Sequence, residues 1–133
     1  MSKITKTEQQ WRESLSAEEF AVCRQQATEP PFSGRYYKLK DDGIYRCVCC
    51  DAELFSSEHK YDSGSGWPSF WQGVDEGRLR LRSDNSHGMV RTEVVCAACD
   101  AHLGHVFDDG PRPTCKRYCI NSVSLKFDPK SSA

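Results

Sequence analysis

Cys119 lies in Arg117-Tyr118-Cys119-Ile120-Asn121-Ser122, and its neighbours are those that a reactive thiol needs. Read as a strand, alternate residues share a face, so Arg117, Cys119 and Asn121 point one way. Continued, that face gives Val123, Leu125 and Phe127, an apolar inward stripe. A guanidinium this close favours the thiolate, which is the nucleophilic form of cysteine. The alternative is a small apolar core residue, the usual place of a free cysteine.

Four other cysteines have the spacing of metal ligands. Cys47-Val48-Cys49-Cys50 and Cys96-Ala97-Ala98-Cys99 each follow an expected strand. Two such knuckles can present four thiolates tetrahedrally to zinc, with Cys47, Cys50, Cys96 and Cys99 as ligands and Cys49 turned away. Four thiolates close the coordination sphere, so one structural zinc is expected, remote from any chemistry and contributing to folding. A site within Cys96, Cys99, His102 and His105 is conceivable, but would leave Cys47 and Cys50 without partners.

His102-Leu103-Gly104-His105 adds two imidazoles that could donate to an oxyanion or relay protons near neutral pH. Their spacing puts them on opposite faces of a regular strand, unless Gly104 forms a bulge. Structural histidines are the alternative. In Gly64-Ser65-Gly66-Trp67-Pro68, glycine permits close approach of a ligand and Trp67 supplies an apolar wall. A sulfur or methyl group against such a ring gains roughly 0.3–1.5 kcal/mol. A tight loop pinned by aromatic packing would read the same way.

The elements that must position these residues are mostly β. Residues 5–15 are expected to be helical, and Ser16-Ala17-Glu18-Glu19 is a capping box opening a second helix that runs to about Gln26. Phe20, Cys23 and Ala27 share one face of it, and Glu29-Pro30-Pro31 stops it. Tyr36–Lys40 and Ile44–Cys47, joined by Asp41-Asp42-Gly43, read as a hairpin. Strands are also expected over Arg78–Arg82, Met89–Val95 and the Cys119 segment. The fold class is therefore mainly β, with two short helices on a twisted antiparallel sheet system, and one domain spans residues 1–133.

Composition narrows the function. A net charge of −1 leaves no electrostatic footprint for nucleic acid or an anionic membrane. No apolar run is long enough to span a bilayer. Met1–Lys6 lacks the apolar core of a secretory signal, so a cytoplasmic location is expected. In that setting eight cysteines point to metal binding and thiol chemistry, not to a disulfide scaffold.

Taken together, GSGWPSF at Gly64–Phe70, HLGHVF at His102–Phe107, RYCINS at Arg117–Ser122 and the two knuckles resemble the B-type methionine sulfoxide reductases. The resemblance covers roughly residues 7–128. It implies two antiparallel sheets with N-terminal helices, and reduction of methionine-R-sulfoxide, best within a peptide. Cys119 matches the nucleophile, which attacks the sulfoxide sulfur and is left as a sulfenic acid. Trp67 matches the residue that packs on the substrate methyl. His102, His105 and Asn121 match groups that hold and protonate the sulfoxide oxygen, and Arg117 matches the basic neighbour. Thioredoxin or another thiol would return the enzyme to its reduced state.

One position departs from that pattern. Many members carry a resolving cysteine where this chain has Ser65. Cys23, Cys115 and Cys49 are the substitutes. A separation such as that from Cys115 to Cys119 spans about 13 Å when extended, too far for a disulfide without refolding of the loop. Cys23, on a helix that could pack near the site or unpack to reach it, is placed first. Two other readings explain less. A zinc-ribbon binding module accounts for the knuckles but not for Cys119, and a cysteine hydrolase with His102 or His105 as base has no diagnostic spacing.

Overall fold

The computed structural model describes residues 6–85, 88 and 90–129. Two short helices lead the chain. In α1 (Glu8–Ser14) the Thr7 hydroxyl accepts from Gln10 N–H, and the Gln10 side chain accepts from Thr7 N–H. The helix thus starts later than its apolar spacing suggests, at the residue that can cap it. In α2 (Ala17–Gln25) Ser16 and Glu19 form the expected capping box. Gln26 ends α2 in the left-handed conformation, at φ 59°. Trp11, Phe20, Val22 and Cys23 are the buried side chains of the pair.

Among the described residues nine strands follow, in two antiparallel sheets. The smaller has the order β2 (Glu53–Ser56), β1 (Gly43–Cys47), β9 (Leu125–Pro129). The larger has the order β3 (Lys60–Tyr61), β4 (Ser69–Phe70), β8 (Arg117–Ile120), β7 (His102–Phe107), β6 (Arg91–Cys96), β5 (Leu79–Asp84). Aromatic side chains join them. Phe55 of the smaller sheet stacks on Phe70 of the larger at 4.4 Å, and Tyr45 meets Phe70 edge-on at 5.1 Å. Leu54, Val94, Leu103, Ile120 and Leu125 complete this buried interior.

Two expected elements differ. Residues 36–38 form a turn and 39–40 are irregular, so the first arm of the expected hairpin is missing. Both edges of β1 are taken, by β2 and β9, so no edge remains for them to pair with. Lys60 Nζ instead donates to the carbonyls of Tyr37 and Leu39. The stripe expected to run from Cys119 to Phe127 is also broken. β8 stops at Ile120, Ser122–Ser124 form a 3-10 turn, and β9 leaves in the other sheet. Met89, placed at the start of a strand, lies outside the described residues.

Candidate active site and metal cluster

Strand register builds the site. Residues directly opposite in an antiparallel sheet share a face. Pairing runs Tyr61 to Ser69, Ser69 to Cys119, Cys119 to His105, His105 to Glu93, and Glu93 to Arg82. One row of polar and ionisable side chains thus crosses the six-stranded sheet with Cys119 near its middle. The adjacent row, with Ile120, Gly104 and Val94, serves the core.

The two histidines come together because β7 carries a bulge. Gly104 pairs with Val94 but His102 with Val95, so Leu103 is the extra residue. His102 therefore joins the face of His105, and their rings meet edge-on at 5.5 Å. Gly104 serves a different need from the expected one. A side chain there would begin 2.0 Å from the Cys119 carbonyl oxygen, so only glycine lets β7 approach β8.

Cys119 is half-buried and opens on a cavity of about 270 Å³. Trp67, His105, Arg117 and Asn121 line it, with Thr28, Arg91 and Phe107 completing the wall. A larger cleft at Tyr37–Lys40 and Lys60 is lined by none of these groups. Arg117 Nη1 lies 2.8 Å from Cys119 Sγ. The guanidinium is aimed by a fork onto Asp109, at 2.8 and 3.1 Å, and lies 4.3 Å over the Phe107 ring. The hydrogen bond to Asp109 leads the effects that raise the Arg117 pKa further, so its charge beside the sulfur is permanent.

The other expected groups occupy distinct positions. Trp67 Nε1 donates to the Glu29 carbonyl at 2.9 Å, which fixes the ring. Asn121 accepts from Glu29 N–H through Oδ1 and donates one Nδ2 hydrogen to the Leu103 carbonyl. His105 Nε2 lies 2.8 Å from Asp84, which orients the ring and leaves Nδ1 to serve a ligand. His102 does not line the cavity. It is buried behind His105, its Nδ1 lies 2.6 Å from Glu93, and burial pushes its imidazole below the ordinary value. Burial alone would raise the Glu93 carboxyl, but hydrogen bonds from Arg82, His102 and Gln26 outweigh that and hold it low.

None of the three resolving candidates is among the hydrogen-bond partners of Cys119, and Cys49 is half-buried beside the knuckle. Cys23 is 2% exposed, with Sγ 3.8 Å from Ser124 Oγ. Hydrogen bonding to Cys49 and burial push its thiol well up. Cys115 is exposed in a turn closed by Cys115 N–H to the Pro111 carbonyl. Ser65, which occupies the expected resolving position, has its Oγ 3.5 Å from Cys119 Sγ.

Cys47, Cys50, Cys96 and Cys99 converge elsewhere, and Cys119 is not among them. Their sulfurs all lie within 4.8 Å of one another, and Cys47–Cys99 and Cys50–Cys96 are each 3.6 Å apart. A zinc tetrathiolate has sulfur–sulfur edges of about 3.8 Å, so this group can hold a metal ion. The alternative within Cys96–His105 is overturned, because His102 and His105 face carboxylates instead. Arg24 ties α2 to the cluster. It donates to the Cys99 carbonyl at 2.8 Å and Sγ at 3.2 Å while lying 3.9 Å over Trp11.

Asp84, Glu29, Glu93 and Asp109 were missed as site residues in the sequence. Each acts through a partner far along the chain or across a loop, and no local pattern marks such pairs. The mainly β fold thus carries a half-buried cysteine beside a guanidinium and, apart from it, a four-cysteine cluster able to hold a metal ion. Residues 15–129 match the SelR domain. A peptide methionine sulfoxide reductase MsrB of Thioalkalivibrio sulfidiphilus is 65% identical over 91% of this chain and 88% of its own length. One of Pseudomonas aeruginosa is 59% identical over 99% of this chain and its whole length, and one of Hahella chejuensis 57% over 96% and 91%. The chain belongs to the MsrB family of peptide methionine sulfoxide reductases, which are oxidoreductases.

Proposed function

We propose that the protein reduces methionine-R-sulfoxide to methionine, in peptides in preference to the free amino acid, through Cys119. The observation that carries this is the Cys119 sulfur, open to a cavity with a guanidinium at 2.8 Å on one side and an indole wall in the same cavity. The Cys119 thiolate attacks the sulfoxide sulfur while its oxygen is protonated. In sum, thiol and sulfoxide become sulfenic acid and thioether. Trp67 takes the methyl group and fixes the face of attack. A poor leaving oxygen needs a proton donor, and His105, oriented by Asp84, supplies one from Nδ1 when doubly protonated. The second Nδ2 hydrogen of Asn121 serves the same oxygen. His102 backs His105 as a positioning residue.

A second thiol then attacks the sulfenic acid, giving a disulfide and water. Cys23 is the internal candidate, because α2 packs it against the turn that follows β8, but it must leave its buried site to act. Cys115 is the weaker one, and thioredoxin or another dithiol completes the cycle. Cys47, Cys50, Cys96 and Cys99 would hold one zinc ion, which when bound crosslinks two turns and neutralises thiolate charge. Eight free thiols fit a reducing compartment such as the cytoplasm. Among the described residues no helix is long and apolar enough to cross a membrane.

The test is single-turnover reduction of an epimer-defined peptide sulfoxide without added thiol, followed by mass spectrometry. One methionine per protein is expected, with Cys119 as a sulfenic acid or bonded to Cys23. Cys119→Ser should produce none while retaining its metal. Turnover by that variant would refute the assignment.

A further inference from the structure

Three serine hydroxyls lie beside Cys119, and the chemistry above uses none of them. Ser63 Oγ donates to Ser65 Oγ at 2.8 Å and lies 2.6 Å from Ser69 Oγ. Ser65 and Ser69 reach Cys119 Sγ at 3.5 and 3.9 Å. Ser69 is 1% exposed, so its hydroxyl is shielded from bulk water. A hydroxyl has one hydrogen and two lone pairs. The Trp67 carbonyl also lies 3.1 Å from Ser69 Oγ and 3.5 Å from Ser65 Oγ. With Ser63 donating to Ser65, the shorter 2.6 Å contact takes the Ser69 hydrogen to Ser63, and 3.5 Å is long for O–H···O, so the Ser65 hydrogen goes to the larger sulfur atom. The backbone supports this direction, since Ser65 N–H and Trp67 N–H fall on the oxygens of Ser63 and Ser65. Arg117 approaches the same sulfur at 2.8 Å.

We infer that Ser69, Ser63 and Ser65 form a one-way hydroxyl chain ending on Cys119, with Ser65 a catalytic residue that holds the thiolate and then the sulfenate. This rests on the sulfenic acid proposed above. Chained hydroxyls polarise one another, so the last hydrogen bond is stronger than an isolated one. The device answers a constraint visible in the fold. Ser65 cannot form a disulfide, and Cys23 is sealed, so the sulfenate must survive until a thiol arrives. Its main hazard is peroxide, which converts sulfenate and peroxide into sulfinate and water, irreversibly for the thiol. That oxidation uses electron pairs of the sulfenate as nucleophile, and donated hydrogen bonds withdraw them.

The experiment uses full-length, metal-loaded protein with Cys23→Ser and Cys115→Ser throughout, so that neither proposed internal thiol competes. Each protein is oxidised by one turnover of sulfoxide peptide, and methionine is counted. Hydrogen peroxide is then added and Cys119 sulfinate followed by mass spectrometry. Ser65→Ala and Ser63→Ala should each form sulfinate about fivefold faster, the ratio expected for one net hydrogen bond. Ser65→Thr, which keeps the hydroxyl, should match the parent. Ser63 does not touch the sulfur, so its effect reports the chain and not the space near Cys119. Equal rates in all four proteins, or no rescue by threonine, would overturn the inference while leaving the sulfenic acid intact. Absence of both methionine and sulfenate from the parent would overturn the proposed function and this inference with it.

Discussion

In the proposed mechanism Arg117 is the residue that sets Cys119 apart from an inert thiol. Its guanidinium is the shortest contact to the sulfur, and Asp109 and Phe107 hold it there. A lysine would keep the charge but lose the fork onto Asp109. A hydrogen bond to a charged group contributes about 1.5–3 kcal/mol, so Arg117→Ala should lower kcat/KM for a sulfoxide peptide roughly 10- to 100-fold. Arg117→Lys should fall between that variant and the parent. Steady-state kinetics with a thiol reductant checks both, and an unaffected Arg117→Ala would remove the guanidinium from the mechanism. The pairing of Arg117 with Cys119 was legible as an i, i+2 strand relation. The Asp109 fork was not, because it depends on the path of the loop between β7 and β8.

The strands set two further expectations. Gly104 is the point where β7 and β8 touch, so Gly104→Ala must push them apart or distort the Cys119 backbone. Overpacking of this kind costs about 1–3 kcal/mol, measurable as a lower urea midpoint at unchanged slope. The bulge at Leu103 buries the Glu93–His102 pair, which sets an acid limit. Burial lowers the His102 pKa from 6.5, and the Glu93 carboxyl is held below 4.5 against its own burial. For both groups the unfolded chain takes up protons first as pH falls. Their contribution is therefore complete above the ordinary imidazole value and is lost as pH drops through the His102 and then the Glu93 range. Glu29, whose carboxyl burial pushes up, acts with the opposite sign, losing its contribution as pH rises through its folded value. The drop in Tm between pH 7.5 and 5.5 should be smaller in His102→Gln than in the parent. Protonation of the cluster thiolates affects both proteins alike, so the difference isolates the imidazole.

For the molecule as a whole, the four-cysteine cluster fastens the turn after β1 to the turn after β6, and so one sheet to the other. Arg24 extends the same fastening to the helices. Binding energy at such a site is folding energy. A strong chelator at neutral pH should therefore lower Tm on the order of 15 °C or more, and Cys50→Ala should reproduce the loss without chelator. Scanning calorimetry beside metal analysis checks this, and a metal-free protein with unchanged Tm would deny the cluster a structural role.

Local chemistry was sufficient for the features that need only neighbours. The Ser16 capping box, the two cysteine knuckles and the shared face of Arg117 and Cys119 follow from spacing along one element, where geometry repeats over a few residues. Features that require a partner from elsewhere were decided in three dimensions. Residues 36–40 carry strand-like alternation but find no free edge on β1. The stripe beyond Cys119 ends because the chain changes sheets after Ile120. Ser63, Ser65 and Ser69 are ordinary polar residues in the chain, and become a group only when β4 pairs with β8. Cys23 has the apolar helix face of a core residue, and only packing shows that the same face lies against the turn below Cys119. Hydrogen bonding and register act across the sheet, and a one-dimensional pattern contains no measure of that distance.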